Sequence, residues 1–310
     1  MNTPSIVPEL ADQPVQTYLS QPSATQLRLP AKACDTHVHV FGPTDRFPYA
    51  MARSHSPAQA PKEKLFALHQ FLGIERCVIV QSVVHGLDNS VVADAIAAGR
   101  GNYLGVALVA VDASAQELQG LAQQGFRGVR FHFMPHLGAS VDLNALIGLT
   151  HRLAEARMHL QVHFHPSLID ELSPWFKRSV VPVVIDHMAR VDATQGLSGP
   201  AFQALCRLLD NALFHVKISG IDRVDEKLPL DTPPYPRGIE LAHYLLREFP
   251  RQCLWGTDWP HPNHTHVPDD GVLVDALARI APTPALMQQL LVGNPEALYR
   301  FEAFRWGAAA

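Results

Sequence analysis

Only four cysteines occur in 310 residues, Cys34, Cys77, Cys206 and Cys253, and no two stand at the spacing of a zinc knuckle or a redox pair. Their scatter argues against a disulfide scaffold and fits a reduced compartment, so a cytoplasmic location is expected. No run approaches the roughly eighteen consecutive apolar residues of a membrane-spanning helix, and the first thirty residues lack the basic start and apolar stretch of a signal peptide. Positive charge is not in surplus either. The formal net charge is -4 and the pI is near 6.5, which argues against nucleic acid as a partner, because neutralising a phosphate backbone takes lysine and arginine in excess. Also missing is a glycine-rich phosphate loop after the first candidate strand, the fingerprint of open doubly wound folds. A small-molecule substrate is the expected partner, with no membrane and no nucleic acid, and a homo-oligomer is compatible with the sequence.

What is present is a large apolar complement, 47% of residues against 17% charged, enough to close a sizeable core. Residues 1–30 are rich in Pro, Gln, Ser and Thr without sustained periodicity, and read as an arm lying on or trailing from the fold. From residue 31 to 310 a single domain is expected. Short apolar runs with β-branched residues fall at 33–41, 77–82, 104–111, 128–133, 160–165, 181–187, 214–219 and 253–258. Helical spacing separates them, at 64–71, 90–100, 115–124, 143–157, 168–176, 201–209 and 239–248, and continues at 272–280 and 284–291. Parallel strands need crossovers, and eight right-handed crossovers in succession can close. The pattern predicts an α/β fold of the TIM type, a (β/α)8 barrel.

The stretch CLWGTDWPHPN at 253–263 is the focus of this pattern. An apolar run ends in Gly256, Thr257 and Asp258, and the two prolines after it cannot continue a strand. Asp258 is thus expected at the carboxyl end of the eighth strand, where a carboxylate is costly unless paired, coordinated or used. In a barrel the carboxyl ends of all strands meet at one mouth. That rule brings His37 and His39, Arg130 and His132, His163 and His165, Asp186 and His187, Lys217 and Ser219 to the same rim as Asp258. A lone HxH, or one strand-end aspartate, is as readily packing or capping. So many titratable side chains at the ends of apolar strands point instead to chemistry.

Four segments carry a resemblance: DTHVHVFGP at 35–43, VIDHM at 184–188, WGTDWPHPN at 255–263 and GNPEALY at 293–299. They resemble the amidohydrolase superfamily and, more narrowly, its lactonase branch. The similarity spans nearly all of residues 30–300, including VIVQSVVHGLDN at 78–89 and PDDGVLVDALARIAPTP at 268–284. The resemblance implies a hydrolase that opens a cyclic ester, 2-pyrone-4,6-dicarboxylate or a related aromatic-catabolic or sugar lactone. It implies that Asp258 takes a proton from the attacking water, that His37, His39 and His187 polarise the carbonyl, and that Arg130 and Arg223 grip substrate carboxylates. His163, His136, Ser82 and His55 fall at further substrate-contacting positions. Here the sequence departs from the branch: an arginine is replaced by His136, a tyrosine by His55, a serine by Val83 beside Ser82, and a fifth-strand tyrosine by His163.

His163 bears on the cofactor. Many amidohydrolases hold a divalent ion, zinc or manganese, through the HxH pair, a fifth-strand histidine and the eighth-strand aspartate. His37, His39, His163 and Asp258 would supply that set. The lactonase branch implies no obligatory metal, and that is the expectation. The rival readings are a metal-dependent decarboxylase or amidase of the same superfamily, a lactone isomerase, and a barrel that binds ligands without catalysis.

Overall fold

The computed structural model describes residues 14–51, 53, 55–134, 141–225, 234–263 and 266–303. Eight parallel strands stand in sequential order: β1 Cys34–Val38, β2 Arg76–Val80, β3 Tyr103–Ala107, β4 Phe126–Phe133, β5 His159–Phe164, β6 Val183–Ile185, β7 Phe214–Lys217 and β8 Cys253–Leu254. Each is paired with the next, as in a (β/α)8 barrel. The apolar runs form strands because both faces of each are covered, and every residue of β1, β2 and β3 is buried.

Alternation sorts the two faces. Cys77, Ile79, Val129, Leu160, Val183 and Val216 pack outward with the helices. Cys34, Val78, Val80, Leu104, Val106, Val184 and Leu254 form a second, inner cluster that Leu298, Tyr299 and Phe301 join.

The seam between β8 and β1 is bridged by residues that follow β8. Thr36 N–H donates to the Trp255 carbonyl at 2.8 Å, Asp258 N–H to the His37 carbonyl at 2.8 Å, and His39 N–H to the Trp259 carbonyl at 2.7 Å. Asp35 fastens the same seam, accepting from Thr257 Oγ1 at 2.6 Å, Thr257 N–H at 3.1 Å and His37 N–H at 3.0 Å. Chain and side chain approach so closely that a Cβ on Gly256 would lie 2.6 Å from His37 N, so only glycine fits.

One expectation is corrected here. β8 ends at Leu254, and Asp258 stands beyond it with φ 68°, not at a strand end. The bond from its N–H to the His37 carbonyl fixes the residue there.

Helices cover the barrel between strands, at Lys62–Leu72, Ser90–Ala98, Ala115–Gln123, Leu143–Glu155, Ile169–Phe176, Pro200–Leu209 and Pro236–Glu248. A short helix, Ile221–Val224, opens the connection after β7. The last helix, Asn294–Tyr299, is tied to the seam region: Asn294 Nδ2 donates to the carbonyls of Pro250 and Cys253 at 2.8 and 2.6 Å. Residues 14–30 lie against the loop after β8. Thr17 donates to the Pro260 carbonyl, the Tyr18 ring meets Trp259 at 5.2 Å, and Gln26 and Leu27 N–H both bond Asp275 Oδ1 at 2.9 Å. Among the described residues, no helix is long and apolar enough to cross a membrane.

Candidate active site

A cavity of about 170 Å³ opens at the carboxyl ends of the strands. His39, His55, Ser82, Arg130, His163, His187, Arg223 and Asp258 line it, together with Val83, His132, Met134, Arg190, Pro262 and Asn263. His37 lies directly beneath, wholly buried against Asp258. Eight expected site residues, spread from His39 to Asp258 along the chain, therefore meet at one place, while His136 lies outside the described residues. His165 is exposed instead, capping the turn after β5 through Ser167. His55, Ser82 and Val83 stand on the cavity wall, and Ser82 Oγ accepts a bond from Val84 N–H.

Asp258 is the hub. Its Oδ1 has the Nε2 atoms of His39, His37 and His187 at 3.4, 3.6 and 3.7 Å. Its Oδ2 is gripped by Arg223, through Nε at 2.6 Å and Nη2 at 2.5 Å, and the same guanidinium donates to the Pro262 carbonyl at 2.9 Å. Burial by itself would raise the pKa of this carboxyl. Arg223 and the three histidines outweigh burial and hold it well below the usual carboxylate range, so Asp258 is ionised at neutral pH. His187 is pushed down to about 4, chiefly by burial, with Asp258 and Asp186 opposing. Burial and then Lys217 lower His37, and burial and then Arg130 lower His163. These three imidazoles are neutral near pH 7.

A second layer supports the hub. Asp186 accepts from Arg130 Nε at 2.8 Å and lies 3.3 Å from His37 Nδ1. Burial again opposes ionisation of Asp186, but Arg130 and His37 keep its pKa well below the usual range. His187 Nδ1 meets Ser219 Oγ at 3.0 Å, and His39 Nδ1 meets the Val80 carbonyl at 2.7 Å. A carbonyl only accepts, so His39 carries its proton on Nδ1, and in its neutral form it turns a lone pair on Nε2 toward Asp258.

The backbone at this site is strained. His187, Met188, Ala189 and Arg190 all have positive φ, between 47° and 56°. A left-handed turn without glycine costs about 1–2 kcal/mol per residue, and it brings both His187 and Arg190 to the cavity wall. Nothing in the residue types around Arg190 announced that turn, so its place in the site was not legible. The partnership of Arg223 with Asp258 was likewise unforeseen, since Arg223 sits on the short helix Ile221–Val224, in the connection between the strand expected at 214–219 and the helix expected at 239–248.

The donors also fit a divalent cation. Ligand atoms of His37, His187 and Asp258 lie within 4.8 Å of one another, all buried, and His37 Nε2 and Asp258 Oδ1 have no hydrogen-bond partner. His39, expected in a metal set, is not part of that group, and neither is His163. The His163 ring centroid lies 5.7 Å from that of His187, and both its ring nitrogens are buried without a hydrogen bond.

Fold, eight-strand order and the residues at the mouth together define a (β/α)8 hydrolase-type site. The chain belongs to the amidohydrolase family, whose model matches residues 34–301. It is 38% identical to a 2-pyrone-4,6-dicarboxylate hydrolase of Comamonas testosteroni, over 91% of this chain and 94% of that one. It is 36% identical to a 4-sulfomuconolactone hydrolase of Rhizobium radiobacter, over 92% and 96%. A crystal structure from Agrobacterium tumefaciens superposes with a TM-score of 0.78 at 26% identity, covering 89% of this chain and 98% of that one.

Proposed function

We propose that this chain hydrolyses a lactone bearing an anionic group, 2-pyrone-4,6-dicarboxylate or a related aromatic-catabolic or sugar lactone. One observation carries the reading: three imidazole Nε2 atoms converge on the Asp258 carboxylate at 3.4–3.7 Å, in a cavity bordered by Arg130, Arg190 and Arg223. The names of the two relatives support it, since one substrate is a dicarboxylate and the other a sulfonated lactone.

Water attacks the ring carbonyl while Asp258 takes its proton. His39, with Nε2 as acceptor, orients that water. His37 and His187 meet the oxyanion that forms as the C=O becomes tetrahedral. Collapse breaks the ring C–O bond, and Asp258 returns the proton to the leaving oxygen. One water is consumed and a hydroxy acid results. Arg130 and Arg223 bind the anionic substituent. A substituent that draws Arg223 toward itself loosens the hold on Asp258 Oδ2 and raises the basicity of that carboxylate when it is needed.

A divalent ion held by His37, His187 and Asp258 would polarise the carbonyl and acidify a bound water. The chain's own donors serve the reaction as described, and no obligatory metal is part of this reading.

Acid release, followed with a pH indicator over a panel of lactones, tests the reading. Rapid opening of an anionic lactone that persists after chelator treatment is the expected result. Failure on every lactone, with or without zinc or manganese, would remove it.

A further inference from the structure

Lys217 is a charge that the reaction above does not use. It projects from the end of β7 into the barrel, has no exposure at all, and its nearest carboxylate oxygen, Asp186 Oδ1, is 3.9 Å away. Such a group is expensive to bury unless its donors are matched. An ammonium has three N–H groups. One goes to the Thr36 carbonyl at 2.8 Å, one to Gln161 Oε1 at 2.9 Å, and the third faces His37 Nδ1 at 3.3 Å. Asp186 Oδ1 competes for the same ring nitrogen at the same distance and acts on the ring through its charge, but its approach lacks the alignment of a good hydrogen bond, whereas that of Lys217 Nζ has it.

The two neighbours demand opposite tautomers. If Asp186 accepted from Nδ1–H, Nε2 would present a lone pair, as a metal ligand must. With Lys217 donating to Nδ1, the proton sits on Nε2 and points toward Asp258 and the cavity floor. We infer that Lys217 is a positioning residue that holds His37 in the Nε2–H tautomer, making it a hydrogen-bond donor to the substrate carbonyl in place of a metal ligand. Gln161 and the Thr36 carbonyl fix the ammonium so that its third N–H has this direction, and Asp186, engaged by Arg130, stays the second choice.

The inference rests on the reading of His37 as a donor, but its test needs no substrate. The protein is labelled with ¹⁵N in the imidazole rings, and the His37 signals are assigned by their loss in His37→Asn. The expected spectrum has a protonated, pyrrole-like Nε2 and a pyridine-like Nδ1. In Lys217→Met the tautomer is expected to reverse as Asp186 accepts from Nδ1–H. Zinc should then bind about 10–100-fold more tightly in a competition titration. Metal-free turnover should fall about 100-fold with KM changed less than about threefold. A pyrrole-like Nδ1 in the unsubstituted protein overturns the inference, as does a Lys217→Met protein with unchanged tautomer and zinc affinity. If that variant does not fold, the unsubstituted protein's spectrum alone decides. The lactone assay can fail while the tautomer is as stated, and the tautomer can be reversed while lactones are opened, so the two failures are distinguishable.

Discussion

Replacing Arg223 with methionine removes the guanidinium that grips Asp258 Oδ2 at 2.6 Å from Nε and 2.5 Å from Nη2, and leaves a buried carboxylate facing the imidazoles of His37, His39 and His187. Breaking one side of a buried ion pair costs about 3–5 kcal/mol. For 310 residues, an unfolding entropy of about 2.1 cal/mol/K per residue gives about 0.65 kcal/mol/K, so Tm should drop by about 5–8 °C at pH 7. The loss should depend on pH, with a definite sign. Burial raises the Asp258 pKa and Arg223 leads the groups that lower it, to a net value well below 3.8. Its stabilising contribution is therefore full above the unfolded pKa and is lost as pH falls through the folded one. Without Arg223, burial dominates, the folded pKa rises, and protonation relieves the variant as pH drops. Calorimetry at pH 7 and pH 4.5 should show the Tm gap narrow by about 2 °C or more at the lower pH. The bond to the Pro262 carbonyl does not titrate and accounts for the remainder. A gap that stays constant or widens on acidification, or one below about 2 °C at pH 7, would refute the reasoning.

Gly256→Ala should lower Tm by about 2–5 °C, the equivalent of about 1–3 kcal/mol of overpacking, because the new Cβ would meet His37 N at 2.6 Å and Asp35 Oδ1 at 2.8 Å. Turnover should fall more than about tenfold, since the backbone that must yield carries His37; a thermal melt and an acid-release assay on the same preparation check both. Arg130→Met should raise KM for a dicarboxylate lactone by about 10–100-fold and change KM for an uncharged lactone far less, a contrast that steady-state kinetics on the pair would measure. An equal effect on both lactones would mean that Arg130 acts through Asp186 alone.

The barrel was legible because its signals are local. Eight apolar runs and the helical spacing between them are set by burial on two faces, and the structure places a strand overlapping each run, with β2, β3, β4 and β5 starting one or two residues earlier than expected. His37, His39, Arg130, His163 and His187 were legible because a barrel rim collects strand ends whatever their distance in sequence, and Asp258 reaches the same place although it stands beyond the end of β8. What could not be read depends on backbone conformation and on pairing. The left-handed turn that aims Arg190 has no residue signature, since none of its four members is glycine. Arg223 was expected to meet substrate, and nothing local revealed that it already holds Asp258. β8 was overextended because Trp255 continues the apolar run, although its carbonyl serves the seam with β1 and not a longer strand.

The most direct test of the central claim is the turnover of Asp258→Asn on a lactone that the unsubstituted protein opens. The amide keeps the volume and the contact with Arg223 but takes no proton from water, so activity should fall by at least about 100-fold while circular dichroism remains that of the folded barrel. A folded Asp258→Asn protein that releases acid at the original rate would contradict the assignment of Asp258 as the base.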